Sequence, residues 1–385
     1  MIGITLIPDR ELWRYDKGVH VVATASSEER VNPVVTKERL FGSEARWRRF
    51  GEPVAAGQVQ ENHPGSDYGV FGPGSVAWEI LLHPATIVFQ SAAQFILQLT
   101  YKPIAAGVRD WDPISRKARK GELTVFDVFD RSQRNSGIHA PMWLGDTETA
   151  RRVAKHLNNI HSKVAGDVID IGNPQLGGYD ANSPRESMWA ALTEMHSMLW
   201  LYETLAFKGL QRPRKLSPEK RDKFIAEVDE YCKLFPAAEE NLPYSMAELN
   251  ALYERDAHLF GDSDTMSIIP ATGQNFPKIA KESIKKNHHP SQVRILVQMF
   301  IQNKLFELPV LGSVSGKTRR SMGLSPRKER MAVASTKILL PFIWLVQQPL
   351  IERHFMRLMW GPDAVKLITS ARKLHAEALK PGTGH

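Results

Sequence analysis

From Ser75 onward, apolar residues recur at spacings of three and four, and this helical period persists nearly to the C-terminus. Clusters of Gly, Pro, Asn and Asp divide it into segments that predict helices at about 76–98, 122–136, 146–165, 185–206, 217–234, 245–259, 291–304, 326–351 and 362–378. The first 65 residues or so differ, mixing short strand-like pieces such as VHVVATA (Val19 to Ala25) with loop composition around Pro53 to Gly65. There is no strand–helix alternation that would build a parallel sheet, and no repeat at a period of roughly 20 to 50 residues. The expected fold class is therefore all-α. A less regular N-terminal segment, 1–70, is expected to pack on a helical domain, 71–385.

One segment stands out for its chemistry. WLGDTETARRVAKHLNNIHSKVAG, Trp143 to Gly166, has Val153, Leu157, Ile160 and Val164 on one helical face. Asp146 can cap its start, and Gly166 can let the chain leave through a left-handed conformation. His161 lies within roughly 60° of Leu157 and Val164 on the wheel, at about 100° per residue, so its imidazole can point inward. His156 borders the same stripe from the opposite edge, and helix geometry does not choose between them. An inward histidine is either a core residue satisfied by a carbonyl or a metal ligand.

Composition narrows the options. At 385 residues, 42% apolar and 24% charged, the chain can build a sizeable core, and it has no clean linker. The 50 Lys and Arg against 42 Asp and Glu leave a net charge of +8, dispersed in short clusters such as Arg46 to Arg49, Arg212 to Lys215, Lys317 to Arg320 and Arg327 to Arg330. Without a basic stripe carrying base-reading partners, no nucleic-acid role is expected, and weak contact with an anionic membrane surface is the more cautious inference. The single Cys232 excludes an internal disulfide and suits a reducing compartment. MIGITLIPDRELWRYDKG has too many charges for a signal peptide, so a cytoplasmic location is expected. The apolar runs Ile80 to Leu99 and Ile338 to Ile351 are interrupted by Pro and Gln and read as buried helices, not membrane spans.

Several motifs fail on spacing. GSVSGKT, Gly312 to Thr318, has three residues between its first glycine and the Gly-Lys pair where a phosphate-binding loop needs four. No Glu-x-x-His supports a di-iron bundle, and no Gly-x-Ser-x-Gly supports a hydrolase elbow. His258 reads as a surface partner of Glu254, and His288 and His289 beside Pro290 as a helix-start loop. His196 lies near the apolar stripe of SPRESMWAALTEMHSMLWLYETL as a second buried histidine, better suited to core filling than to chemistry.

FGPGSVAWEILLHP (Phe71 to Pro84), the Pro-x-Ala-Ala-Gly-Val turn of KPIAAGV (Lys102 to Val108), RSQRNSGIHAPMWLGD (Arg131 to Asp146) and HSKVAG (His161 to Gly166) follow one another in an order and spacing that resembles the haem-dependent oxygenases of the mycophenolic-acid oxygenase and latex-clearing-protein (rubber oxygenase) type. The likeness runs from about residue 71 to 206, and SPRKERMAVASTKILLPFIWL resembles the family's C-terminal part less specifically. It implies a globin-like helical core that holds haem b, with His161 as the axial iron ligand in preference to His156. It also implies a distal set at Arg131, Arg134 and Asn135, where asparagine replaces the family's threonine. A competing registration uses Arg116, Arg119 and Lys120 but requires a long insertion. Lys102-Pro103 stands where the family usually has His-Pro, and Trp189-Ala190-Ala191 where it often has Trp-x-His, which points to an altered pocket or substrate. His83 before Pro84 is retained as a turn residue.

The resemblance thus implies an oxidoreductase that uses O2 to oxidise or oxidatively cleave a small apolar substrate, isoprenoid or alkene-bearing. Polymer cleavage is less expected, because an enzyme acting on extracellular rubber should be exported. The alternative is a non-catalytic helical protein that binds haem or an apolar ligand, and a third reading is a nucleotide-using protein through the Gly312 loop.

Overall fold

The computed structural model describes residues 50–58, 66–238, 241–287 and 293–380. The strand-like Val19 to Ala25, the basic cluster at Arg46 to Arg49, and the pair His288 and His289 lie outside the described residues. Sixteen α-helices and one two-stranded ribbon make up the described part. The helices are α1 (Val76–Leu81), α2 (Pro84–Thr100), α3 (Lys102–Trp111), α4 (Pro113–Arg119), α5 (Val125–Leu144), α6 (Thr147–His161), α7 (Pro184–Leu205), α8 (Pro218–Cys232), α9 (Met246–Arg255), α10 (Phe276–Lys286), α11 (Val293–Ser313), α12 (Gly316–Ser321), α13 (Pro326–Ile338), α14 (Leu340–Val346), α15 (Pro349–Met359) and α16 (Gly361–Ala378). The fold is predominantly α, and among the described residues no helix is long and apolar enough to cross a membrane.

The core forms around α2 and α7, which pack along each other and are buried on nearly all sides. Trp78, Phe89, Leu97, Trp143, Trp189, Leu199 and Tyr231 are all buried within it. Around this pair, α5 and α11 close one flank, α8 and α1 the other, and α16 covers the outer side of α5. The short stretch before Asp67 helps fix the corner between α5 and α6. Val54 N–H donates to Thr149 Oγ1 at 3.0 Å, Ala56 N–H to the Leu144 carbonyl at 3.0 Å, and Asp67 accepts from Thr147 N–H at 2.9 Å.

Several boundaries depart from the periodicity, and proline explains some of them. The segment expected over 76–98 is two helices, because His83 caps a new start by accepting from Ala85 N–H at 3.1 Å and Pro84 occupies the first position. KPIAAGV is not a turn but the first two turns of α3, with Pro103 where its missing N–H costs nothing. Likewise 326–351 breaks into three helices, with Pro341 and Pro349 opening the second and third. The helix expected over 146–165 starts where the sequence places it, Asp146 accepting from Thr149 N–H at 2.7 Å, but ends at His161.

Gly166 is consequently not a helix cap. It lies in strand β1 (Ala165–Gly166), which pairs antiparallel with β2 (Tyr179–Asp180), Gly166 opposite Tyr179. A Cβ on Gly166 would stand 2.6 Å from the Tyr179 ring. The position needs glycine for close approach, not for a left-handed backbone. Gly166→Ala is therefore expected to destabilise the protein by about 1–3 kcal/mol, measured by urea unfolding, and to cost less in a Tyr179→Leu background than in the parent. An alanine variant as stable as the parent contradicts this packing.

Candidate functional site

The site is built where α6 ends. Buried side chains of α6 are confined to its first two turns, at Thr149, Ala150, Val153 and Ala154. Beyond them the apolar stripe is uncovered, with Leu157 half-buried and Ile160 42% exposed. His161, the last helical residue, is half-buried, and no hydrogen bond to its imidazole forms among the described residues. Desolvation first, and the charge of Arg131 second, lower its basicity, so the ring is neutral near pH 7. His156 points elsewhere, against the Phe50 ring with centroids 5.5 Å apart.

The chain beyond His161 is clamped by α3. Small residues on α3 let the two approach closely, since a Cβ on Gly107 would already touch Val164 at 3.4 Å and Tyr179 at 3.6 Å. The Arg109 guanidinium, fully buried, forks onto Asp110 at 2.8 and 2.7 Å and donates to the Val168 carbonyl at 2.7 Å. Tyr179 O–H donates to Asp110 at 2.7 Å, and Trp111 Nε1–H to the Ala165 carbonyl at 2.9 Å. These bonds fix the 164–180 segment, and with it the end of α6.

Arg131 and Asn135, one turn apart on α5, share a half-buried face. Arg131 Nε–H donates to Asp112 Oδ2 at 2.8 Å and one terminal nitrogen to Asn135 Oδ1 at 3.3 Å. Its other terminal nitrogen has no hydrogen-bond partner among the described residues. Asn135 in turn donates to Gln94 Oε1 at 2.9 Å.

Behind this pair lies a fully buried polar cluster. Gln94 donates to His139 Nε2 at 3.0 Å, and His139 Nδ1 lies 3.2 Å from Glu194 Oε1, too poorly aligned for a hydrogen bond. Glu194 also accepts from Trp143 Nε1–H and Tyr231 O–H, each at 3.1 Å. Desolvation outweighs these donors and pushes the Glu194 carboxyl up to about 8, while it pulls His139 down to about 3 with help from the Arg131 charge. At neutral pH the pair is a carboxylic acid facing a neutral imidazole, so no net charge is buried.

The family described as ER-bound oxygenase mpaB/B′/rubber oxygenase, catalytic domain, matches residues 78–346, most of the chain and all of α2 to α14. The chain belongs to this oxygenase family. No curated protein and no solved structure matches it.

Of the residues assigned by resemblance to the oxygenase family, Arg131 and Asn135 are joined by a hydrogen bond, and the Arg131 charge acts on His161. Arg134 is not part of this group, because its guanidinium turns outward to pair with Asp130 and is 56% exposed. In the competing set, Arg116 and Lys120 are exposed, on and just after α4, and Arg119 is spent on the Arg109 and Asp110 carbonyls at 2.8 and 2.7 Å. Among the described residues no group of three or more His, Cys, Asp or Glu could hold a metal ion. His83 caps α2, its Nε2 3.0 Å from the Phe207 carbonyl oxygen. Sequence reasoning missed His139 and Glu194. The signals were there, His139 sitting two turns after Arg131 and Glu194 as the one acid between Leu192 and Leu199.

Because the folded carboxyl binds its proton more tightly than the unfolded one, Glu194 contributes stability that is lost as pH rises toward about 8. His139 has the opposite sign, costing stability as pH falls below its ordinary value of 6.5. Glu194→Gln, which mimics the protonated acid, is expected to fold and to flatten the fall in Tm between roughly pH 6.5 and 8.5. Parallel Tm profiles for parent and variant would contradict a protonated Glu194.

Proposed function

We propose that this chain is a haem b-dependent oxygenase that uses O2 to oxidise or oxidatively cleave a small apolar substrate, with His161 as the residue that would hold the iron and Arg131 and Asn135 as the polar pair of the site. The observation that carries the reading is the state of His161. It is a neutral imidazole without a hydrogen-bond partner among the described residues, at the end of a helix whose last apolar residues are uncovered. The Arg131 guanidinium is near enough to lower its basicity, yet no hydrogen bond joins the two. Both side chains thus remain available to a haem, which His161 would hold and beside which Leu157 and Ile160 would supply apolar surroundings.

When bound, haem b supplies the iron that activates dioxygen. The protein's own residues do the rest. His161 is kept neutral and therefore competent as a ligand, and the α3 clamp holds its helix end in place. Arg131 offers a positive charge and an unspent terminal N–H group, which favour negative charge developing on oxygen. Asp112 and Asn135 hold that guanidinium by two bonds. Asn135 is itself held through Gln94, so the buried His139–Glu194 pair sets the position of the site without placing a charge in it.

An apolar substrate is supported by the family description, which names rubber oxygenase, rubber being an isoprenoid hydrocarbon. A reducing, cytoplasmic setting is supported by Cys232, the single cysteine, which is free and buried.

Haemin titration followed by its Soret band tests the assignment. The parent and His156→Ala are expected to take up haem, and His161→Ala to lose the band while keeping its helical circular dichroism. Arg131→Leu is expected to keep haem and to lose about 10–1,000-fold in O2-dependent turnover of an alkene substrate. A His161→Ala protein with full haem and an unchanged spectrum overturns the ligand assignment.

A further inference from the structure

Helix α7 presents polar chemistry on two opposite faces. Glu194 turns toward α5, and His196, two residues on and about 200° around the helix, lines a cleft of about 410 Å³ that also reaches α8, α9 and α12. The body of α7 therefore separates this cleft from the cluster behind Arg131.

His196 is 3% exposed, and its Nδ1 lies 3.1 Å from the Tyr253 hydroxyl. That phenol is half-buried, stays protonated because desolvation raises its pKa, and has the imidazole as its hydrogen-bond partner. In the tautomer in which the phenol donates to Nδ1, the ring hydrogen resides on Nε2. Nε2 is buried and meets no acceptor. A second donor in the cleft, Arg221 Nε, lies 3.1 Å from Glu203 Oε1 in an ion pair but is not aligned to hydrogen-bond to it. Buried donors without acceptors are costly, and two in one cleft call for the same acceptor. Charge points the same way, because the lining holds Lys215, Arg221 and Lys317 against Glu203 and Glu254, an excess of one positive charge. The walls beside His196 are aromatic, with Trp200 at 4.1 Å between ring centroids and Tyr253 and Phe260 packed 5.1 Å apart. The Gly312 loop lends the cleft Ser315 and Lys317, but Lys317 is paired with Glu254 and Ser315 caps α12, so neither is free to cradle a triphosphate.

We propose that this cleft is an accessory binding site for a small aromatic carboxylate, whose carboxylate accepts from His196 Nε2–H and Arg221 and whose ring lies against Trp200 and Phe260. The site is independent of the haem reading and binds its ligand whether or not haem is held.

Calorimetric titration of the full-length protein with three probes of one shape tests it: 2-naphthoate, 2-naphthylmethanol and 2-naphthylmethylammonium. One 2-naphthoate per chain is expected, bound at least tenfold more tightly than the alcohol, with no heat from the cation. His196→Phe, which keeps the ring and removes the donor, is expected to weaken 2-naphthoate at least tenfold, and His161→Ala to leave its affinity unchanged. Lys215→Met, an exposed change that cannot disturb the core, is expected to weaken it several-fold and decides the matter if His196→Phe does not fold. No binding of 2-naphthoate, equal affinity for acid and alcohol, or parental affinity in both His196→Phe and Lys215→Met overturns the proposal. Loss of binding in His161→Ala overturns it as well, by placing the probe in the other site.

Discussion

Four helices meet at the carboxyl of Glu194. Trp143 and His139 approach it from α5, Gln94 from α2 and Tyr231 from α8, while α7 carries it into a buried region. An ionised carboxylate there would lose its hydration for a handful of neutral donors, a poor exchange at low dielectric. Keeping the proton removes the penalty and leaves the geometry, so one uncharged acid joins helices that are otherwise held mainly by apolar contact. The relative position of α2, α5 and α7 depends on this, and so does the direction in which α5 presents Arg131 and Asn135.

The other side of the site depends on closeness of approach, not on polarity. Gly166 lets the loop after α6 and the Tyr179 ring stack without room for another carbon, and Gly107 brings α3 into ordinary contact with Val164 and Tyr179. The buried Arg109–Asp110 fork then satisfies the carbonyls and the phenol that this stacking encloses. His161 ends a helix that is rigidly tied below and uncovered above. A helix end of that kind can offer its imidazole to a cofactor without reorganising.

Much of this was legible in the sequence, for identifiable reasons. The 3.6-residue period and the capping residues located α6 and α7 well, because both are long and Asp146 and Ser183 act as their caps. The one-turn spacing of Arg131 and Asn135 put them on a common face, and they hydrogen-bond. The same spacing was silent about Arg134, whose direction is set by Asp130 one turn earlier. The role of Gly166 was hidden because it depends on Tyr179, which reaches it only through the β1–β2 pairing. Similarly, α3 reads as a turn until the contacts that make its small residues necessary are known. The Glu194 cluster draws on residues about 40 to 100 positions apart, and periodicity cannot report such convergence.

Membership of the oxygenase family and the fold around it stand on the match over residues 78–346 and on the helical architecture. The central claim beyond them is that the neutral, unbonded His161 holds an iron porphyrin. Iron quantification and the ultraviolet–visible spectrum of the purified protein test it most directly. The account predicts one iron per chain and a Soret band that shifts on reduction. Protein that carries no iron and takes up no haem when it is supplied would contradict it.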